Sequence, residues 1–236
     1  MHRVLSRRPE PEVSDEKVRA RLATRWDRTK VYADFLFNDH HILRLLYSNT
    51  HEIGGGLYRS NQPGPERLRR WAERGLKTVI NLRGVSEASF HVLERDACAR
   101  HGLELITLRL YSRDLPDPAA PRAIKAMFDD IAYPALIHCK SGSDRAGLMG
   151  VLYRHFRLGE PFSVAREQLG LKYLHMPIGK TGILDAYVDK YIAEGESQGV
   201  DYITWAETKF DRVAFKASYR SGALGDFIVD KVFQRE

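Results

Sequence analysis

The feature that most constrains the fold of this 236-residue chain is a regular alternation of strand-like and helix-like segments between residues 57 and 158. Short apolar runs at 76–82, 103–110 and 135–138 have the length and composition of buried strands. Between them, apolar residues recur at three- and four-residue steps, which indicates amphipathic helices. This alternation predicts an α/β fold, with a central, mostly parallel sheet flanked by helices.

The regions on either side of the alternating segment have different patterns. Residues 1–15 are polar and contain proline, so they are predicted to be a disordered tail. Helical periodicity predicts a helical N-terminal extension at 16–53 and a helical C-terminal extension at 176–236, which leaves 54–175 as the core domain. Within the C-terminal extension, single helices are predicted at 183–193 and 203–215, and a last one near 227–232.

Composition sets limits on the class of protein. No apolar run approaches the roughly 18–20 residues that span a bilayer, and no apolar stretch follows the basic N-terminal residues. We therefore expect a cytoplasmic protein. Two cysteines are too few for a disulfide framework or a cysteine-based zinc site, and the histidines show no ligand spacing with carboxylates, so no metal is expected. The net charge of +6 suits an anionic partner, although a slightly basic solvated surface explains it equally well.

The segment 138–147, His-Cys-Lys-Ser-Gly-Ser-Asp-Arg-Ala-Gly, carries the chemistry. It lies between a buried strand and a helix, where ligand sites occur in open α/β sheets. A loop of small residues can turn its N–H groups inward, and the following helix adds the positive end of its dipole, so the segment predicts an anion site. The predicted phosphate-binding residues are Lys140, Ser141, Gly142, Ser143, Asp144 and Arg145.

Two side chains of this loop have predicted chemical roles. A cysteine at the loop entry, Cys139, has its thiolate stabilised by the inward N–H groups and by a neighbouring guanidinium, which makes it a nucleophile. Arginine six residues later, Arg145, can hold two oxygens of a phosphate in its fork. That contact strengthens as negative charge develops in the transition state.

The loop resembles the His-Cys-x5-Arg signature of the protein tyrosine and dual-specificity phosphatase superfamily. The resemblance covers roughly 57–170, since the segments 57–63 and 77–83 look like the early strands of that fold. It implies hydrolysis of phosphate monoesters through a phosphocysteine on Cys139, with His138 orienting the loop and without any cofactor. The compact loop organisation is more similar to bacterial members than to receptor-type ones.

One position departs from the family pattern. The superfamily usually has serine or threonine directly after the arginine, where its hydroxyl assists the departing thiolate, but this chain has Ala146. The resemblance thus leaves two functions open. One is a working phosphatase in which Ser141, Ser143 or a water molecule substitutes for that hydroxyl. The alternative is a phosphatase-like pseudoenzyme that binds a phosphorylated ligand without hydrolysing it.

Three aspartates are candidates for the acid that protonates the leaving oxygen. The superfamily uses an aspartate on an upstream loop, and Asp114 lies 25 residues before the cysteine. Asp117 lies between two prolines and is equally suited to a helix entry. Asp144 lies in the phosphate loop itself, as in similar loops of myotubularin-type lipid phosphatases. Asp114 is our first choice and Asp144 the second.

The substrate class stays open at this stage. Lys140 resembles the lysine that follows the cysteine in phosphoinositide 3-phosphatases, which suits a headgroup with several phosphates. In the tail, Lys209, Arg212, Lys216 and Arg220 recur at helical steps. This pattern fits either a peripheral contact with an anionic membrane or a charged outer face of a packed helix. Phosphotyrosine proteins, phosphoinositides and lipid phosphates all remain, and no nucleic-acid partner is indicated.

The second cysteine, Cys98, has two interpretations. It lies close to where some lipid phosphatases of this superfamily carry a cysteine that protects the nucleophile through a reversible disulfide. It could equally be a small apolar residue on a buried helix face.

Overall fold

The computed structural model describes residues 13–219. Contacts within the chain group the residues into two compact units. Among the described residues, the first unit contains residues 13–52, 56–109 and 132–142. The second contains residues 53–55, 110–131 and 143–219. The predicted division into a core and two extensions stays a prediction.

Within residues 13–219, five strands form one sheet with the order β1-β2-β5-β3-β4. The strands are β1 (His51–Gly54), β2 (Leu57–Asn61), β3 (Thr78–Asn81), β4 (Glu104–Thr107) and β5 (Ala135–Cys139). Strand β5 is parallel to both β2 and β3, and β3 is parallel to β4. The predicted α/β fold with a mostly parallel sheet is confirmed.

The strands at the centre of the sheet are buried, and two helices pack against them through Leu68, Ala97 and Cys98. All residues of β3 and β5 are buried, which explains why these segments are nearly apolar instead of alternating. The predicted strands at 76–82 and 103–110 are longer than the observed ones. Leu76 N–H, for example, donates to the carbonyl of Trp71 (3.1 Å) in the turn after the preceding helix, so it does not join the ladder.

The helices of the first unit begin and end at residues with clear local roles. They are α1 (Asp15–Arg21), α2 (Arg25–Phe37), α3 (His41–Arg44), α4 (Pro65–Glu73) and α5 (Ser89–His101). The side chain of Ser14 caps α1, so this helix starts inside the predicted tail, of which residues 1–12 lie outside the described residues. Gly102, with a φ of 65°, ends α5 before β4 begins.

The second unit is helical. Its helices are α6 (Ala120–Asp130), α7 (Asp144–Leu158), α8 (Phe162–Ala165), α9 (Ile183–Glu194), α10 (Tyr202–Thr204) and α11 (Arg212–Ser218). Aromatic rings form much of its core: Phe162 packs against Tyr191 and Tyr202 with ring centroids 4.6 Å apart in both cases. Edge-to-face and tilted geometries of this kind add to the free energy from burial alone.

The predicted single helix at 203–215 is wrong. The chain leaves helical geometry at Phe210, and Asp211 accepts hydrogen bonds from the backbone of Val213 and Ala214, which starts α11 as a new helix. The predicted helix near 227–232, and Arg220 of the basic pattern, lie outside the described residues. Within the described part of the chain, no helix is long and apolar enough to cross a membrane.

Candidate active site

In the loop after β5, three backbone carbonyl groups are bound by other residues of the first unit. The carbonyl of Lys140 accepts from Gln62 N (3.2 Å), that of Ser141 from Asn49 Nδ2 (3.0 Å), and that of Gly142 from Arg59 Nη2 (2.8 Å). Because each peptide carbonyl points opposite to the N–H of the next residue, these contacts direct the amides of the loop to its inner side. Gly142 N–H donates to Cys139 Sγ at 3.2 Å. The loop thus directs the N–H of Gly142 at the cysteine sulfur.

Gly142 is required by the shape of this loop. Its φ of +76° lies in the left-handed region, which side chains rarely adopt. A Cβ atom at this position would lie 2.7 Å from Asn61 N and 2.7 Å from the carbonyl carbon of Ser60. Both atoms are backbone atoms at the end of β2, so neither can move like a flexible side chain. Only glycine allows the loop to pass this close to the strand.

The entry to the loop is held by a buried carboxylate. His138 precedes the cysteine, and its Nε2 lies 2.7 Å from Glu94 Oε1 with both side chains fully buried. Gln62 Nε2 donates to the same oxygen (2.8 Å), and Asn81 Nδ2 donates to Glu94 Oε2. Burial raises the pKa of Glu94, but the charge and hydrogen bond of His138 outweigh that effect and lower the pKa well below its usual range. Glu94 is therefore a buried anion that holds His138 from α5.

The exit of the loop is the first turn of α7. The chain passes from the first unit to the second between Gly142 and Ser143, and Ser143 is buried. Arg145 is 7% exposed, and no residue between 13 and 219 forms an ion pair or hydrogen bond with its guanidinium. Ala146 is fully buried. A buried guanidinium without a carboxylate at the start of a helix is suited to an anionic ligand.

Asp144, the aspartate of the loop, is bound by a buried histidine of the second unit. His175 Nδ1 lies 2.7 Å from Asp144 Oδ1, and His175 Nε2 lies 2.7 Å from Asp185 Oδ2. His175 is fully buried and Asp144 is 2% exposed. Burial lowers the pKa of His175, but the two carboxylates outweigh that effect and raise the pKa to about 9.

The two upstream aspartates have different surroundings. Asp114 Oδ1 accepts from Arg212 Nη2 (2.8 Å) and lies 2.8 Å from Lys216 Nζ, and its side chain is 30% exposed. Partial burial raises the pKa of Asp114, but the hydrogen bonds and charges of these groups lower it overall. Asp117 Oδ1 accepts from Ala119 N at 3.2 Å, which makes it a helix-entry residue before α6.

The charge of Lys140 acts on a buried charged group of the first unit. This group is Asp39, whose carboxylate bonds both Arg83 and Arg44. Burial raises the pKa of Asp39, but the hydrogen bond and charge of Arg83 outweigh that effect, so this pKa is lowered overall. Lys140 itself is half-buried.

Cys98 packs in an apolar cluster on α5 together with Leu68, Val79 and Leu136, as the second interpretation of this residue predicted. Burial, and to a lesser degree the charge of Glu94, raise the pKa of the Cys98 thiol well above its usual value. Both cysteines are free. The protective disulfide with Cys139 stays a prediction that this apolar environment does not favour, since a thiolate is the reactive form. Among residues 13–219, no group of three or more His, Cys, Asp or Glu side chains could hold a metal ion.

Sequence reasoning identified the contiguous loop but missed the side chains that hold it. Asn49 and Arg59 bind its carbonyl groups, Glu94 binds the histidine at its entry, and His175 binds the aspartate at its exit. From the sequence, Arg59 is predicted only as part of an early strand. Neither Glu94 nor His175 stands out in the sequence, because each is a single polar residue within an ordinary segment.

The chain is similar to known proteins at the level of family and fold. The family model described as a DSP-PTPase phosphatase fused to NAD⁺ kinase matches residues 47–177, more than half of the chain. No curated protein sequence matches it.

Three solved structures illustrate the likeness in fold. A putative phosphatase from Shewanella putrefaciens CN-32 has 18% identity and a TM-score of 0.49, over 64% of this chain and 97% of that one. TpbA of P. aeruginosa has 18% identity and a TM-score of 0.48, over 72% and 91%. The core catalytic domain of the PP-IP phosphatase SIW14 from S. cerevisiae has 19% identity and a TM-score of 0.48, over 64% and 92%.

Proposed function

We propose, from the premise that this chain belongs to the family of dual-specificity-type phosphatases fused to NAD⁺ kinase, that it hydrolyses phosphate monoesters through a phosphocysteine. The family belongs to the tyrosine and dual-specificity phosphatase superfamily, as the loop signature predicted, and the chain is a phosphatase of this type. The mechanism and the substrate are the parts that we add. The observation that carries them is the loop in which the carbonyl groups of Lys140, Ser141 and Gly142 are turned outward, with an N–H directed at the sulfur of Cys139.

In the first step, the thiolate of Cys139 attacks phosphorus and the bond from phosphorus to the leaving oxygen breaks. The loop N–H groups bind the non-bridging oxygens, and they need no reorganisation because Gly142 and its neighbours are already held by the first unit. Arg145 binds two of these oxygens in its fork. Its guanidinium has no competing carboxylate among the described residues, so it is available for the phosphate.

For the proton donor we propose Asp114. A general acid must take up a proton between turnovers, which requires access to water. The side chain of Asp114 is 30% exposed, whereas that of Asp144 is 3% exposed. Asp114 must leave Arg212 and Lys216 to become protonated, because both cations favour its ionised form. Asp144 is instead bound to His175, and Asp117 is engaged at the entry to α6.

In the second step, water hydrolyses the phosphocysteine and the thiolate of Cys139 departs. Ala146 offers no hydroxyl to assist this departure. We therefore propose that the second step limits the overall rate. In an Ala146→Ser variant, steady-state turnover should rise while the rate constant for formation of the phosphocysteine, measured in the pre-steady state, stays unchanged. A fall in turnover, or an unchanged rate without any burst, would contradict this assignment.

The basic test is hydrolysis of p-nitrophenyl phosphate by the full chain. Cys139→Ser should reduce the rate to that of the uncatalysed reaction, whereas Cys98→Ser, a change of the other buried cysteine, should leave kcat unchanged. If the wild-type protein binds tungstate but releases no phosphate, the assignment as an enzyme fails and the pseudoenzyme alternative holds.

The acid is tested by leaving groups of different pKa. Asp114→Asn should lower kcat/KM strongly for alkyl phosphates and little for nitrophenyl phosphate, since only a poor leaving group needs the proton. Asp117→Asn is the matched control and should lower both rates by the same factor or by none. An Asp114→Asn variant whose loss is equal for all leaving groups would exclude Asp114 as the acid.

The substrate class follows from the same chemistry. We propose a phosphorylated protein or phospholipid, with a peripheral membrane contact in the second case. The structure uses Arg212 and Lys216 of the basic tail pattern to bind Asp114, so these two are not directed only at a membrane. Cys139→Ser protein that is incubated with phosphotyrosine peptides and with vesicles containing a phosphoinositide should retain one of these two classes. Retention of neither would exclude both.

A further inference from the structure

The second unit contains a buried chain of three ionisable side chains. His175 lies between Asp144, the first residue of α7, and Asp185, in the first turn of α9, with 2.7 Å between ring nitrogen and carboxylate oxygen on both sides. All three side chains are at most 7% exposed. Such an arrangement is costly to bury unless it is fully paired, so its presence requires a reason.

The geometry defines the charge state of the histidine. A neutral imidazole has one N–H donor and one acceptor, so one of the two contacts would bring two acceptors together. Only the imidazolium can donate to both Asp144 and Asp185. The pKa of His175, raised to about 9 by the two carboxylates against the effect of burial, agrees with this assignment.

The contact between Asp144 and His175 is made at the phosphate loop itself. Asp144 directly precedes Arg145 in the chain. The carbonyl of Ser143, the residue before Asp144, accepts a hydrogen bond from Gly147 N at 2.7 Å in the first turn of α7. A fixed Asp144 side chain therefore restricts the backbone from which the arginine projects. His175 is itself anchored, since its backbone N–H donates to the carbonyl of Gly170 (3.3 Å).

We propose that His175, held by Asp185, is a positioning residue of the phosphatase site, which fixes Asp144 and thereby the backbone that carries Arg145. In this role Asp144 accepts a hydrogen bond from His175 and does not donate a proton to the leaving group. The proposal rests on the proposed function, in which Arg145 binds the phosphate. Its physical basis is that preorganised ligands of a transition state lose much of their effect when they are displaced by about 1 Å.

The test uses the full chain with tungstate as a phosphate analogue and p-nitrophenyl phosphate as substrate. His175→Gln should weaken tungstate binding and lower kcat/KM, each on the order of 10-fold to 100-fold, at a temperature where the variant is folded. His155→Gln is the matched control. That histidine is also in the second unit and bonds the carbonyl of Glu160 (2.9 Å) near the end of α7, distant in sequence from the phosphate loop. It should lose stability only.

A second variant keeps the proposal testable if His175→Gln does not fold. Asp185→Asn removes one carboxylate, so His175 should lose its proton at a lower pH than in the wild type. The groups that bear on this titration are Asp144 on α7, Asp185 on α9 and Arg166, whose charge interacts with Asp185. The tungstate affinities of wild type and Asp185→Asn should be similar at pH 6, and their ratio should grow in favour of the wild type as the pH rises toward 9.

The outcomes separate the two proposals. Equal tungstate affinity in His175→Gln and His155→Gln, or an Asp185→Asn ratio that does not change with pH, would overturn the positioning role. If the wild type hydrolyses no phosphate ester but its tungstate affinity still depends on His175, the proposed function fails while the positioning of the anion site stands.

Discussion

Replacement of Gly142 by alanine would place a methyl group where the phosphate loop meets strand β2. The new Cβ would lie 2.7 Å from Asn61 N and 2.8 Å from the carbonyl oxygen of Ser60. Carbon atoms prefer about 3.5–4.0 Å to their non-bonded neighbours, so the loop would have to move by roughly 0.8 Å. The N–H of residue 142, which donates to Cys139 Sγ, would move with it.

The expected loss can be divided into two parts. A non-glycine residue in the left-handed region costs about 1–2 kcal/mol of folding free energy. A displacement near 1 Å at the reacting centre costs on the order of 10²-fold in rate, which equals about 2.7 kcal/mol of transition-state stabilisation. Gly142→Ala should therefore lose both stability and catalysis.

The matched control is Gly159→Ala at the end of α7. Gly159 has a φ of +71°, and a Cβ there would meet nothing within 4 Å, so this variant carries the conformational cost without the clash. Urea denaturation should show that it loses about 1–2 kcal/mol of stability, with kcat/KM for p-nitrophenyl phosphate unchanged. If Gly142→Ala retains the kcat/KM of Gly159→Ala, then the loop does not depend on its close approach to β2 and the reasoning is refuted.

Three further predictions concern other parts of the structure. Glu94→Gln should lower the free energy of unfolding at pH 7 by about 3–5 kcal/mol, because His138 loses its buried partner. Since the pKa of Glu94 is lowered in the folded state, the stability difference between wild type and variant should shrink as the pH falls below 4.5, the ordinary pKa of a glutamate. Arg212→Ala should raise the pKa of Asp114, which moves the high-pH decline of kcat/KM for alkyl phosphates to higher pH. Phe162→Ala should cost about 3–5 kcal/mol by urea denaturation, because its ring is fully buried.

Each of these three predictions has a control. Glu73→Gln changes an exposed carboxylate and should alter stability little at any pH. Arg122→Ala removes an exposed ion pair with Glu207. This pair does not include Asp114, so the pH profile should stay unchanged. Leu171→Ala truncates a side chain that is 72% exposed. A variant that behaves like its control would contradict the corresponding prediction.

The sequence by itself was sufficient for the α/β class and for most elements of the core. The alternation of apolar runs and amphipathic periods is a local signal, and glycines such as Gly102 and Gly159 mark helix ends because they adopt left-handed conformations. The same local reasoning predicted a single continuous helix at 203–215, where the structure has a break at Phe210 and Asp211. There, the capping side chain of Asp211 outweighed the continuing apolar period.

The candidate site divides in the same way. Cys139 and Arg145 could be recognised because the nucleophile, the anion cradle and the clamp occupy one contiguous loop, in which spacing along the chain defines the chemistry. The partners that hold this loop are far away in sequence: Arg59 is 83 residues from Gly142, and His175 is 31 residues from Asp144. Only the tertiary structure brings such residues together, because burial obliges isolated polar groups to find one another regardless of their distance along the chain. Sequence therefore determined which groups can react, and the fold decided which groups position them.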